Sequence, residues 1–135
     1  TVSLNNYTGE LKVLHTQKIT NPSYLVKHKD KLYSVVEVVK KDKPKIATFT
    51  IKKDNSLELI DEKFINGCLP CHINHDSNSL FIACYGSGNI IQYPIDTNGS
   101  PLEAIVSIHK GKNQHMRIKY TYIPIKNMSL YLTLV

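Results

Sequence analysis

The chain has 135 residues and a mass of 15.3 kDa, with 41% hydrophobic and 21% charged residues, which is the size and composition of a single globular domain and not of a disordered tail. No run of about 18 apolar residues occurs and the first residues lack the basic-then-apolar order of an export signal, so no spanning helix is read and the cytoplasm is the expected compartment, with the three cysteines as reduced thiols. Seventeen Lys and Arg against eleven Asp and Glu give +6; the densest basic run, Lys40, Lys41, Lys43 and Lys45, is broken by Asp42 and Pro44 and reads as a solvated hairpin loop, so neither nucleic acid nor a membrane is an expected partner.

In chain order, residues 2–4 and 11–19 read as two strands joined through Tyr7-Thr8-Gly9-Glu10. From Asn21, NPSYLVKHKDKLYSVVEV gives a strand, a polar turn and a second strand rich in β-branched and aromatic residues. Two more strands follow at 45–52 (KIATFTIK) and 57–64 (LELIDEKF), joined by Lys53-Asp54-Asn55-Ser56. The pattern then restarts: PCHINHDSNSLFIACYG from Pro70 is again strand, turn and strand, followed by 89–96 (NIIQYPID), the turn Thr97-Asn98-Gly99-Ser100 and 103–109 (EAIVSIH). These turns carry the polar and glycine residues that hairpins need.

The restart is an internal repeat. Without gaps, at an offset of 48, Pro22 falls on Pro70, Leu25 on Ile73, Asp30 on Asn78, Leu32 on Leu80, Tyr33 on Phe81 and Val35 on Ala83. At an offset of 50, Ser79, Leu80 and Phe81 fall on Ser129, Leu130 and Tyr131 of the tail YTYIPIKNMSLYLTLV. Four antiparallel strands recurring at about 45 to 50 residues are the signature of a β-propeller blade. The expected fold is therefore all-β, a partial propeller: residues 1–20 as the outer strands of a first blade, 21–66 as a second, 67–112 as a third and 113–135 as the divergent start of a fourth. Propellers close with about four to eight blades, so a fragment is expected, whose exposed blade faces would favour self-association.

Four words along the repeat resemble the seven-bladed propeller lactonases, which include one class of bacterial 6-phosphogluconolactonase and the fungal carboxymuconate lactonising enzyme. They are Asn21-Pro22-Ser23-Tyr24-Leu25, Leu32-Tyr33-Ser34-Val35-Val36-Glu37, Gly67 to Pro70 running into Cys71-His72-Ile73, and Ala83-Cys84-Tyr85-Gly86-Ser87-Gly88-Asn89-Ile90. The resemblance covers residues 1 to 112 and implies that further blades lie outside this chain. It also implies a sugar lactone as small-molecule substrate, hydrolysis without a cofactor, and a site at one mouth of the central channel. One departure is that the family's H-x-H pair falls on Arg117-Ile118-Lys119, leaving His115 as the nearest imidazole. A frameshift or truncation beyond Gln114 would account for it.

The catalytic candidates are Glu37, His72 and His115. Glu37 matches the family's acidic strand end, where a carboxylate orients a sugar hydroxyl or assists proton transfer; the plain alternative is a solvated charge at a strand end. His72 lies on an inner strand, where an imidazole can carry a proton, or simply bond a neighbouring blade. Alternation puts Cys71, Ile73 and His75 on one face and His72 with Asn74 on the other. Tyr24 stands at the position equivalent to His72, and with Tyr85, beside a glycine-containing hairpin loop, is a substrate-contact candidate.

The run Cys68-Leu69-Pro70-Cys71-His72 also spells C-x-x-C-H, a haem attachment word, and Cys68, Cys71, His72 and His75 can be written as a zinc set. A strand follows in place of a redox helix, and adjacent strand residues point apart, so no metal is expected at this run, and none is expected elsewhere in the chain.

Overall fold

The computed structural model describes residues 1–108, 118–125 and 128–134. Its described residues form strands and one short 3-10 turn, and the architecture is all-β as the repeat predicts. Strands β1 (Val2–Leu4) and β2 (Leu11–Val13) make a hairpin. β3 (Pro22–His28), β4 (Lys31–Val36), β5 (Lys45–Ile51) and β6 (Leu57–Phe64) make a four-stranded sheet in chain order. β7 (Pro70–His75), β8 (Ser79–Cys84), β9 (Asn89–Pro94) and β10 (Ile105–Ile108) make a second one of the same order. β11 (Ile118–Ile125) and β12 (Met128–Leu134) pair as a final hairpin. Every neighbour is antiparallel, so each four-stranded sheet is a meander.

Several elements differ from the sequence expectation: β10 begins at Ile105 and not at residue 103, β5 ends at Ile51, one residue early, and three further differences have a local cause. The second strand stops at Val13 and not at residue 19, because its ladder with β1 is used up at Thr1, whose carbonyl accepts from the Leu14 N–H at 3.0 Å. Residues 40–42 of the lysine run form a 3-10 turn closed by Lys43 in the left-handed region at φ 58. β9 ends at Pro94 because Asp96 turns the chain: its Oδ1 accepts from the N–H of Asn98 at 2.9 Å and of Ser100 at 2.8 Å.

The core lies between the two meanders. Alternation along β4 and β5 turns Tyr33, Val35 and Ile46 to one face of the first sheet, and along β7, β8 and β9 it turns Ile73, Leu80, Ile82, Cys84, Ile91 and Tyr93 to the facing side of the second. These residues, with Ile65, form one buried cluster, each large aliphatic side chain stabilising the fold by about 1.5–3 kcal/mol when fully buried. Two tyrosines tie the sheets reciprocally. Tyr33 of the first donates to the Gly99 carbonyl of the second at 2.8 Å, and Tyr93 of the second donates to the Phe64 carbonyl of the first at 3.2 Å. Gly99 permits the first bond: it sits at φ +85, and an added Cβ would lie 2.9 Å from Lys31 Cγ.

The opposite face of the first sheet, with Leu32, Ser34 and Phe49, meets the β1–β2 hairpin across an apolar cleft of about 330 Å³. Among the described residues Ser34 Oγ and Thr48 Oγ1 are buried hydroxyls with no hydrogen-bond partner. A buried unpaired hydroxyl costs about 1–3 kcal/mol. Thr48→Val should therefore raise stability by about 1 kcal/mol, while Tyr33→Phe, which leaves the Gly99 carbonyl without its donor, should lower it by about 1 kcal/mol. Urea midpoints of the two variants read both signs, and a fall on Thr48→Val would refute the assignment of that hydroxyl.

Candidate functional site

The first strands of the two meanders, β3 and β7, lie side by side. Each begins with a proline, and each ladder slips just after it, between Pro22 and Tyr24 and between Pro70 and His72. A proline lacks the N–H that a regular ladder requires, and a bulge re-aims the residues that follow. The result is a ring contact across the two strands: Tyr24 and His72 have centroids 4.3 Å apart at 49°. Ser23 Oγ, on β3, donates to the Pro70 carbonyl at 3.5 Å.

Glu37 follows β4 at this same end. Its N–H donates to the Asn21 carbonyl at 3.1 Å, and its carbonyl accepts from Asn21 Nδ2 at 2.5 Å. Asn21 holds φ 40, a conformation asparagine tolerates better than most side chains. The Glu37 carboxylate is half-buried and forms no ion pair among the described residues. Burial pushes the Cys71 thiol up, and the negative field of Glu37 adds to the rise. Burial pushes His72 below its ordinary value of 6.5, which favours the neutral imidazole, and its ring, set against that of Tyr24, has no hydrogen-bond partner among the described residues.

Tyr85 opens the β8–β9 turn. Its N–H donates to the Leu69 carbonyl at 2.9 Å, the Gly86 N–H donates to Cys68 O at 2.8 Å, and the Cys68 N–H donates to Ser87 Oγ at 2.9 Å. These bonds clip the turn to the segment leading into β7, and Tyr85 remains 48% exposed, free to face a ligand. Gly67 and Gly86 make the clip possible, since an added Cβ would overlap the sulfurs of Cys84 and Cys68 respectively.

The structure thus brings Tyr24 against His72, places Glu37 within electrostatic reach of Cys71, and holds Tyr85 over the same end of β7. His115 lies outside the described residues. Three members of the written zinc set turn to different partners: Cys71 Sγ points to the Ala83 carbonyl at 3.6 Å, His72 lies on Tyr24, and His75 Nδ1 bonds the Asp76 carbonyl at 3.0 Å. Cys84 is a core residue, its thiol pushed up to about 12 by burial. Among the described residues no group of three or more His, Cys, Asp or Glu is gathered around one point. Sequence reasoning missed Asn21, the residue that clamps Glu37; the signal available was an Asn before a bulge-forming Pro.

Two four-stranded antiparallel meanders packed face to face, with their first strands adjacent, define consecutive blades of a β-propeller. The sequence model of the family described as lactonase, 7-bladed beta-propeller matches residues 1–119, and the chain belongs to that family. It is 27% identical to the 6-phosphogluconolactonase of Buchnera aphidicola, covering 92% of this chain and 39% of that protein. It is 31% identical to an uncharacterized protein of Staphylococcus epidermidis, over 76% of this chain and 31% of that one. Among solved structures, a candidate 6-phosphogluconolactonase of Bacteroides fragilis superposes with a TM-score of 0.76 at 28% identity, covering 87% of this chain and 37% of that one. A second, from Bacteroides uniformis, superposes at 0.74 with 19% identity, over 91% of this chain and 39% of that one, and shows the shared fold. The chain spans less than two fifths of the length of these relatives, between 31% and 39%.

The His72 shift has a thermodynamic consequence. A histidine whose folded pKa lies below its unfolded value binds fewer protons when folded, so its contribution is fully present above pH 6.5 and is lost as pH falls through the window beneath it. Wild type should lose urea resistance between about pH 7 and pH 5, and His72→Gln should lose less over the same interval. Equal losses in both proteins would exclude His72 as a contributor.

Proposed function

We propose that the propeller to which these blades belong hydrolyses a sugar lactone, with 6-phosphoglucono-lactone as substrate. The observation that carries the reading is the contact of the His72 and Tyr24 rings at the start of the adjacent strands β3 and β7, in a chain of the lactonase family, with Glu37 following β4 and within electrostatic reach of Cys71. The blades divide at residues 1–20, 21–66, 67–112 and 113–135, and the remaining blades of the ring lie in the part of the relatives that this chain does not span.

In this reading water attacks the ring-ester carbonyl while a ring nitrogen of His72 accepts its proton. The carbonyl π electrons move to oxygen, and the tetrahedral oxyanion is stabilised by donors around the mouth. Collapse breaks the bond to the ring oxygen, which takes a proton from the imidazolium and leaves an open-chain hydroxy acid. Glu37 accepts hydrogen bonds from sugar hydroxyls, and the Tyr24 and Tyr85 rings flank the pyranose. His115 is a further proton carrier in the same reading. The lactone and water supply all the atoms of this step, so no cofactor is invoked, and the chemistry suits the cytoplasm.

Proton release from freshly generated 6-phosphogluconolactone tests the proposal, measured with the 135-residue chain and with the longest protein whose coding sequence contains it. The longer protein should be active, and His72→Gln and Glu37→Gln should each lower kcat/KM by about 10²-fold or more. Because His72 must be unprotonated, kcat/KM should fall on the acid side, below pH 6.5. Silence of the longer protein, or full activity in both variants, would overturn the proposal and favour a propeller that binds without catalysis.

A further inference from the structure

At the opposite end of the inner strands a second imidazole meets a third. His28 is the last residue of β3 and His75 the last of β7; their rings stand edge to face with centroids 4.6 Å apart and planes at 60°. His28 pairs with Lys31, the first residue of β4, whereas Pro22 pairs with Val36 beside Glu37. The length of β4, about 17 Å over the five steps from Lys31 to Val36 at roughly 3.3 Å each, therefore separates this pair from the Glu37 end.

The His75 ring is fixed in one tautomer. Its Nδ1 lies 3.0 Å from the Asp76 carbonyl oxygen, and since a carbonyl only accepts, Nδ1 carries the hydrogen and Nε2 keeps the lone pair. A histidine whose outer N–H is donated to a backbone carbonyl is the form in which imidazole binds metals. His28 has no hydrogen-bond partner among the described residues, and it lines a cleft of about 430 Å³ formed with Lys29, Asp30, Ser77 and the Asp96 turn. Two imidazoles bound tetrahedrally to one ion, at metal–nitrogen distances of about 2.0–2.1 Å, have ring centroids about 5 Å apart, close to the separation seen here.

We propose that His28 and His75 together hold one divalent transition-metal ion of the imidazole-preferring class, such as zinc, nickel or copper, which ties β3 to β7. No third His, Cys, Asp or Glu joins them among the described residues, so water from the cleft completes the coordination and the ion exchanges readily, unlike a closed structural zinc site. Magnesium and calcium, which take oxygen ligands, are excluded. The site is independent of the lactonase reading and of the C-x-x-C-H run, and it links two successive blades without adding to the core.

Titration of the metal-free full chain with zinc chloride, followed by calorimetry and thermal unfolding, tests the site. Wild type and the Cys68→Ser/Cys71→Ser double variant should bind one ion and gain Tm, with no response to magnesium. His28→Gln and His75→Gln should each weaken binding by about 10-fold or more and lose the Tm gain. As a measurement that needs no substitution, trace nickel should broaden the ring resonances of His28 and His75 in the wild type ahead of those of His15 and His72. Loss of binding in the cysteine variant, undiminished binding in the histidine variants, or broadening elsewhere first would each overturn the proposal.

Discussion

Two hydroxyls reach in opposite directions across one buried seam. Tyr33 crosses from the first meander to the Gly99 carbonyl, and Tyr93 crosses back to the Phe64 carbonyl. Between them lies the apolar cluster to which each sheet contributes the side chains of one face. Dispersion and hydrophobic burial hold the faces together but are indifferent to small slides. The two directed bonds remove that freedom, because a slide of one residue would strand both hydroxyls in a desolvated layer. Gly99 fits this arrangement through its left-handed backbone, and Asp96 holds the turn in which it sits.

Once the faces are registered, the placement of the inner strands follows. β3 and β7 become neighbours, their initial prolines force matching bulges, and Tyr24 comes against His72 at one end while His28 comes against His75 at the other. The Glu37 end is then finished by local devices: Asn21 clamps the backbone of Glu37, and the Tyr85 turn is clipped over residues 67–70. The groups at the Glu37 end thus rest on the inter-sheet core, where Val35 pairs with Tyr24 across one ladder and Ile82 with Ile73 across the other.

Much of this was legible in the sequence. The offset of 48 between Pro22 and Pro70 revealed the repeated sheet, the strand at 57–64 matches the one found, and the word from Pro70 is strand, turn and strand as read. Alternation correctly separated the core-facing Ile73 from its neighbours. Strand ends were less legible, because β2 ends where its partner does and β9 ends where Asp96 captures two N–H groups, and both are properties of pairing and not of composition. The cross-blade ring pairs were not legible either. His72 and His75 alternate to opposite faces, yet both meet rings on β3, since contacts at an inner edge depend on bulges and on how two sheets approach each other. The role of Asn21 was hidden because its hydrogen bonds go to backbone sixteen residues away.

The central claim is that the two meanders form one registered body through this seam. Nuclear Overhauser spectra of the isotopically labelled full chain test it most directly. The account predicts cross-peaks between the Tyr24 and His72 rings and between the His28 and His75 rings, together with slow exchange of the Tyr33 hydroxyl proton. Absence of both ring pairs, with a rapidly exchanging Tyr33 hydroxyl, would mean that the sheets do not pack in this register and would contradict the account at its base.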